Sequence, residues 1–122
     1  AWQFKNADKI VIAAPFWDLS FPALLKVYIE NLCVEGITFD CNAENGCFGV
    51  CNADKLVYIT SRGGNYNNNP MEMGARYIEV MCGFFGIERF KCIAADGIDM
   101  VEDPTPIINE AIKEAEKEAA EL

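Results

Sequence analysis

Lys9 to Leu19 reads KIVIAAPFWDL, and the fold turns on these eleven residues. Ile10 to Ala14 is apolar at every position, then Pro15 stops the run and an aromatic, acidic turn follows. Continuous hydrophobicity suits a parallel strand covered on both faces; a strand with one wet face would alternate. The pattern returns twice. Lys55 to Thr60 (KLVYIT) runs into Ser61-Arg62-Gly63-Gly64, and Phe90 to Ala95 ends at Asp96-Gly97. The implied framework is three parallel strands, Lys9–Ala14, Lys55–Thr60 and Phe90–Ala95, each delivering a loop to one edge of a sheet.

The intervening segments carry helical signals. After the first strand, Ser20 suits an N-cap with Pro22 in the first turn. Leu24, Tyr28 and Leu32 then form a row that Leu25 and Ile29 widen, and Gly36 suits a C-terminal stop. Arg62 to Asn69 is rich in Gly and Asn and reads as a loop able to take unusual backbone angles. Pro70 opens a second helix with Met73, Tyr77, Met81 and Phe84 on one face, which Gly83 and Gly86 loosen and end. Thr105 and Pro106 start a third, as cap and N1. Its apolar seam is Ile108, Ile112, Ala115, Ala119 and Leu122, and it reads as a terminal helix packed on the sheet, with too few heptads for a coiled coil. Ala1 to Ala7 reads as a helix tail or a linker into the first strand. Ile37 to Cys51 is a β-excursion: Thr38–Cys41 has strand character, Asn45-Gly46 signals a tight turn, and Cys47–Val50 returns. It is expected to lie over the loop edge. Strand and helix alternating three times is the pattern of a doubly wound α/β fold with right-handed crossovers.

The totals exclude several functions. A chain of 122 residues suits one domain, and 52% hydrophobic residues suffice for a core. No apolar run reaches the roughly 18 residues needed to cross a bilayer, and AWQFKNAD has no signal-peptide pattern. The formal charge of −9, without a basic stripe, makes nucleic acid and anionic membranes poor partners. The absence of histidine removes Ser-His-Asp and Cys-His dyads and the His-bearing zinc motifs. No side chain stands out as catalytic, so a cofactor is expected to carry the chemistry. The 6 cysteines lie among apolar neighbours and suit free thiols in a reducing cytoplasm, although an even count also permits disulfides. Cys41, Cys47 and Cys51, with Cys33 nearby, are candidate ligands for zinc or an iron–sulfur cluster. Their spacing matches no knuckle motif, so plain thiols are the stronger reading and no metal is expected.

In open parallel sheets ligands bind outside the carboxyl ends of the strands. Those ends are Pro15-Phe16-Trp17-Asp18-Leu19 and Ser61-Arg62-Gly63-Gly64. Phe16 and Trp17 offer π faces, and Gly63 and Gly64 let a flat ring approach the backbone and its N–H groups. Arg62 offers positive charge to a reduced ring or a phosphate. Each feature alone has a plainer explanation, an edge aromatic or a simple turn. On two strand ends of one sheet they point to a planar aromatic ligand.

Four stretches, ADKIVIAAPFWDLSFPALLKVYIENL, GITFD, LVYITSRGG and GFFGIERF, resemble the FMN-dependent NADH:quinone oxidoreductases and azoreductases of the flavodoxin-like fold. The resemblance runs from about Ala7 to Gly97. It implies that Phe16 to Leu19 and Ser61 to Gly64 hold the FMN isoalloxazine, with Pro15 leading into the first loop and Tyr66 lining the substrate side. It implies a homodimer with active sites at the subunit interface, passing hydride from NAD(P)H to the flavin and on to a quinone or azo compound. Two departures matter. Trp17-Asp18 stands where the family usually has Tyr-Asn, and a side-chain contact from Asp18 would lower the flavin potential. Similar proteins also begin with a strand, a Ser-rich phosphate loop, a helix and a second strand, which have no counterpart before Ala7. The expectation is therefore a partial flavodoxin-like domain over residues 1–122, supplying strands 3 to 5 of a parallel sheet with helices on both faces. It would be the C-terminal part of a longer protein or a truncated product, inactive if the phosphate site is required. Ile10–Ala14 would then have one unpaired edge. Two other functions fit the residues: a non-enzymatic electron carrier whose acidic surface docks a basic partner, and a cofactor-free fold remnant acting as an interaction module.

Overall fold

The computed structural model describes all 122 residues. Its elements in chain order are α1 (Trp2–Asn6), β1 (Ile10–Ala13), α2 (Ala23–Leu32), β2 (Phe39–Asn42), β3 (Gly46–Gly49), β4 (Lys55–Ser61), α3 (Gly74–Phe85), β5 (Arg89–Ala95) and α4 (Thr105–Glu121). The three expected strands form one parallel sheet in the order β1-β4-β5. Ile10 sits opposite Leu56, and Lys55 opposite Arg89 through to Ser61 opposite Ala95. β4 is central and buried on both faces, which is why Leu56, Val57 and Tyr58 are apolar without alternation.

The main core lies between the sheet and the pair α2 and α3. Ile10, Leu56 and Tyr58 from the sheet meet Ile29 and Leu32 of α2 and Ala75, Ile78, Cys82 and Phe85 of α3. Phe4 of α1 closes one end, its ring edge-on to Phe85 at 5.1 Å. The other face carries α4 alone, held by Lys55–Glu118 and Lys91–Glu114 ion pairs. α4 packs along β5 and leaves β1 uncovered on that side, so Val11 is 53% exposed. The outer edge of β1 pairs with no strand, as expected.

Several local expectations are corrected. The expected helix rows are met in part, with Leu25, Ile29 and Leu32 of α2 and Tyr77 and Met81 of α3 on the core side. In α2 the buried residues are Ile29 and Leu32, with Leu25 packed alongside, whereas Leu24 and Tyr28 face solvent. In α3 they are Ala75, Ile78, Cys82 and Phe85, with Met73 and Phe84 exposed. In α4, Ile108 and Ile112 are exposed and Glu118 is buried by its Lys55 partner. Ser20 caps nothing: it pairs with Trp17, and α2 begins three residues later. α3 starts at Gly74 instead of Pro70, because the Glu72 carboxylate accepts the N–H groups of Gly74 and Ala75 at 2.6 and 2.8 Å. Asp103 likewise accepts the Thr105 N–H at the start of α4. Gly36 serves the turn after α2, whose cap is Cys33.

The β-excursion forms as the antiparallel hairpin β2–β3, with Glu44 and Asn45 N–H groups donating to the Asn42 side chain. It does not lie over the loop edge. Gly49 packs on the backbone of Phe85 and Gly86, where α3 ends and β5 is about to begin. The hairpin therefore covers the amino edge of the sheet. Gly86 ends α3 in the left-handed region (φ 80°) with Gly49 O directly against it, so neither position has room for a Cβ. Cys41 and Cys47 are directly opposed across the hairpin and form a disulfide, correcting the expectation of six free thiols. The physical reason is register, which brings their Cα atoms to 4.0 Å. Cys33, Cys51, Cys82 and Cys92 are free. No helix is long and apolar enough to cross a membrane.

Candidate functional site

The loops after β1 and β4 meet above the carboxyl edge of the sheet. Leaving β1, the chain makes a four-residue turn in which Trp17 and Ser20 exchange backbone hydrogen bonds at 3.2 and 2.9 Å. Asp18 and Leu19 occupy its centre with φ of 50° and 68°. Two successive non-glycine residues in the left-handed region mark a type I′ arrangement and store strain. The turn is anchored because Met73 N–H donates to Leu19 O at 2.8 Å, tying it to the start of α3. The N–H groups of Asp18 and Leu19 have no acceptor within the chain. Trp17 stands at the tip, 60% exposed.

Strand pairing stops at Ser61 and Ala95, and backbone hydrogen bonds between the two loops that follow keep them joined. Arg62 O, Gly63 O and Gly64 O accept N–H groups from Ile98, Asp99 and Gly97. The N–H groups of Gly63 and Gly64 are unpaired within the chain. A Cβ on Gly63 would lie 2.3 Å from an Asp99 carboxylate oxygen, and one on Gly64 2.8 Å from the Tyr66 ring. The doublet thus admits the chain's own Asp99 and Tyr66 side chains, as well as leaving N–H groups open.

The two loops touch through aromatic rings. Phe16 and Tyr66 lie 4.8 Å apart between centroids, and the Arg62 guanidinium sits 5.6 Å from the Phe16 ring. Beside them, on the α4 face, is a groove of about 470 Å³ whose lining includes Ala14, Pro15, Ser61, Ala95, Ile108 and Ile112. Pro15, Phe16, Trp17, Asp18, Leu19, Ser61, Gly63, Gly64 and Tyr66 are therefore gathered at one edge.

Arg62 is placed differently from expectation. It is 4% exposed, with Nη2 3.5 Å from Glu72 and Nη1 3.4 Å from Asp96 and 3.0 Å from the Asn67 side-chain oxygen. A guanidinium held between two buried carboxylates is not free to reach a phosphate, which corrects that role. Its Nε finds no partner, nor do the Thr60 and Tyr58 hydroxyls two and four residues earlier on the same side of β4. Burial pushes the Tyr58 hydroxyl up to about 12 and raises the neighbouring Cys92 thiol, so both stay protonated at neutral pH.

Glu72 and Asp96 escaped the sequence reading. A helix opening at Pro70 places Glu72 in its first turn, where a carboxylate carries no special signal. Asp96 did carry a signal: an ionisable residue immediately beyond an apolar parallel strand and before Gly97. The donor set fits a planar, polar-edged ring. Aromatic side chains stand on both loops, four of the loops' backbone N–H groups have no partner in the chain, and the adjoining groove is mostly apolar.

A family model described as Flavodoxin-like fold matches residues 1–119. The chain belongs to the flavodoxin-like fold family. It is 50% identical to an FMN-dependent NADH:quinone oxidoreductase of Clostridium acetobutylicum, over 100% of this chain and 62% of that protein. Among solved structures, azoreductase AzrA superposes with a TM-score of 0.89 at 34% identity, covering 98% of this chain and 59% of its own. An FMN-dependent NADH-azoreductase of Bacillus anthracis, solved in complex with FMN, gives a TM-score of 0.87 at 30% identity, covering 98% and 58%. This flavodoxin-like chain thus spans about three fifths of the length of the relatives it matches.

Proposed function

We propose that this chain is part of an FMN-dependent oxidoreductase that uses NAD(P)H to reduce quinones or azo compounds. The observation that carries this is the convergence of the Phe16–Leu19 and Ser61–Gly64 loops at one strand edge, in a chain whose relatives bear those names. Phe16 and Trp17 pack the ring, with Pro15 and Ser61 at the mouth of the adjoining groove. The N–H groups of Asp18, Leu19, Gly63 and Gly64 meet its polar edges, and Tyr66 lines the substrate side. Arg62 acts from within, by holding Phe16. When bound, FMN supplies hydride acceptance and onward transfer; the chain's part is to orient the ring and exclude water.

The domain reading belongs to the same proposal. Residues 1–122 form strands 3 to 5 of a flavodoxin-like domain, and the FMN phosphate is held by sequence that the longer relatives have and the match does not reach. We further propose a homodimer in the cytoplasm. Exposed Leu24, Val27 and Tyr28 on α2, with Val80 on α3, make an apolar surface suited to a second copy. Four free thiols suit a reducing compartment, while the Cys41–Cys47 bridge is the one feature that argues the other way.

The deciding experiment is titration of the chain with lumiflavin, the ring without a phosphate tail, read by tryptophan fluorescence in a Trp2→Phe variant that leaves Trp17 as the one indole. Saturable quenching is the expected result, followed by NADH oxidation with a quinone in a full-length form bearing FMN. A full-length form that takes up no flavin sinks the proposal. The net charge of −9 favours one second reading, an electron carrier docking a basic protein. Turnover with free nicotinamide and no partner protein separates the two.

A further inference from the structure

The buried charges beneath the two loops have a job that ring packing alone does not assign. We infer that Asp96 is a positioning residue for the proposed ring site, setting the Tyr66 loop directly and the Phe16 loop through Arg62. The inference rests on the function proposed above.

Asp96 lies just beyond β5, with its side chain 9% exposed. Its oxygens accept the Tyr66 N–H at 3.0 Å and the Asn67 N–H at 3.1 Å. Oδ1 also lies 3.4 Å from Arg62 Nη1. Three donors from two directions thus converge on one carboxylate. The Tyr66 ring packs on Phe16, and the Arg62 guanidinium packs on Phe16 as well. The far side of Arg62 meets Glu72, which caps α3, and the residue between them, Met73, donates to Leu19 in the strained turn. Tyr66 is therefore referenced to Asp96 directly and Phe16 within two contacts, with the Leu19 turn tied in more remotely through Glu72 and Met73.

The chemistry explains why a carboxylate stands there. Two ionised oxygens offer about four acceptor sites. An amide has one acceptor oxygen and would aim its NH2 at a donor. One cation between two carboxylates also leaves a net negative charge under the site, which acts against the anionic form of a reduced ring.

The test compares wild type, Asp96→Asn and Asp96→Glu. In the ligand-free chain, Asp96→Asn should speed amide hydrogen exchange at Tyr66 and Asn67 by about tenfold, the worth of one hydrogen bond to a charged acceptor. Lumiflavin affinity should fall by a similar factor, and the midpoint potential of the bound ring should rise as a negative charge is removed. Asp96→Glu keeps the charge at the wrong reach, so affinity should fall while the potential stays near that of wild type. Should Asp96→Asn misfold, Asp96→Glu carries the same comparison of affinity against potential. The inference is overturned if exchange at Tyr66 and Asn67 is unchanged in Asp96→Asn. It is equally overturned if exchange quickens but affinity and potential match wild type. Wild type that binds no lumiflavin removes the ring-site reading itself, and this inference with it; a wild type that binds beside an unaltered variant removes this inference alone.

Discussion

Asp18 and Leu19 show what single residues carry here. Both sit at positive φ, a conformation costing about 1 kcal/mol or more for a residue with a side chain. The turn leaves two N–H groups without an acceptor in the chain. Asp18 adds a negative charge that the turn geometry does not need, since Asn tolerates the same φ. Asp18→Asn should leave stability within about 0.5 kcal/mol of wild type in urea unfolding. The same change should raise the midpoint potential of the flavin bound to a full-length form. An unchanged potential would mean that the carboxylate points away from the ring. The sequence flagged Trp17-Asp18 through its departure from the family pattern. Nothing in the sequence revealed the positive φ, because neither Asp nor Leu demands it.

Among the elements, the hairpin β2–β3 and the end of α3 are the tightest joint. Ideal Cβ placement on Gly49 falls 1.9 Å from the Phe85 carbonyl carbon, a backbone atom that cannot swing aside. Gly49→Ala should therefore cost about 1–3 kcal/mol, read from the shift of a denaturant midpoint. The Cys41–Cys47 bridge closes a short loop, with a sequence separation of 6. Chain entropy puts its contribution at about 2 kcal/mol, so adding a thiol reductant should lower unfolding stability by that order. A variant with serine at both positions should be insensitive to the reductant. The hairpin was legible from Asn45-Gly46 and the flanking strand residues. Its location was not, because packing against the amino edge depends on two glycines 37 positions apart, Gly49 and Gly86.

Across the whole molecule, one charge cluster and one apolar surface set the behaviour in solution. Asp54 bridges Lys9 and Arg89 at the amino edge of all three strands, at 2.7 and 2.5 Å. The hydrogen bonds from Lys9 and then Arg89 pull its carboxyl down to about 2. A depressed carboxylate stabilises the fold above its ordinary range near 4 and loses that contribution as pH falls towards 2. The melting temperature of wild type should exceed that of Asp54→Asn at pH 6, less so in high salt because the groups are exposed, and the two should converge near pH 2. The apolar surface is that of α2 and α3, where Leu24 is 80% exposed and Val80 70%. On the proposed dimer, Leu24→Glu should lower the light-scattering mass towards that of one chain without altering circular dichroism. A mass unaffected by the change would place any subunit contact elsewhere, the bare edge of β1 being the next surface to examine.

By itself the sequence determined the three parallel strands, their loops, the hairpin turn and the gathering of Phe16, Gly63, Gly64 and Tyr66 at one edge. These follow from short-range signals: unbroken apolar runs, proline and glycine stops, and the rule that such strands present their carboxyl ends together. Only the tertiary structure decided which face of each helix is buried. Leu24 and Leu25, or Ile107 and Ile108, are equivalent to any periodicity, and docking against a particular sheet breaks the tie. Only the tertiary structure, too, converted Arg62 from a ligand-facing cation into the centre of a buried ion network. Asp96 is 34 residues away in sequence, and a chain read one stretch at a time cannot show that their charges meet.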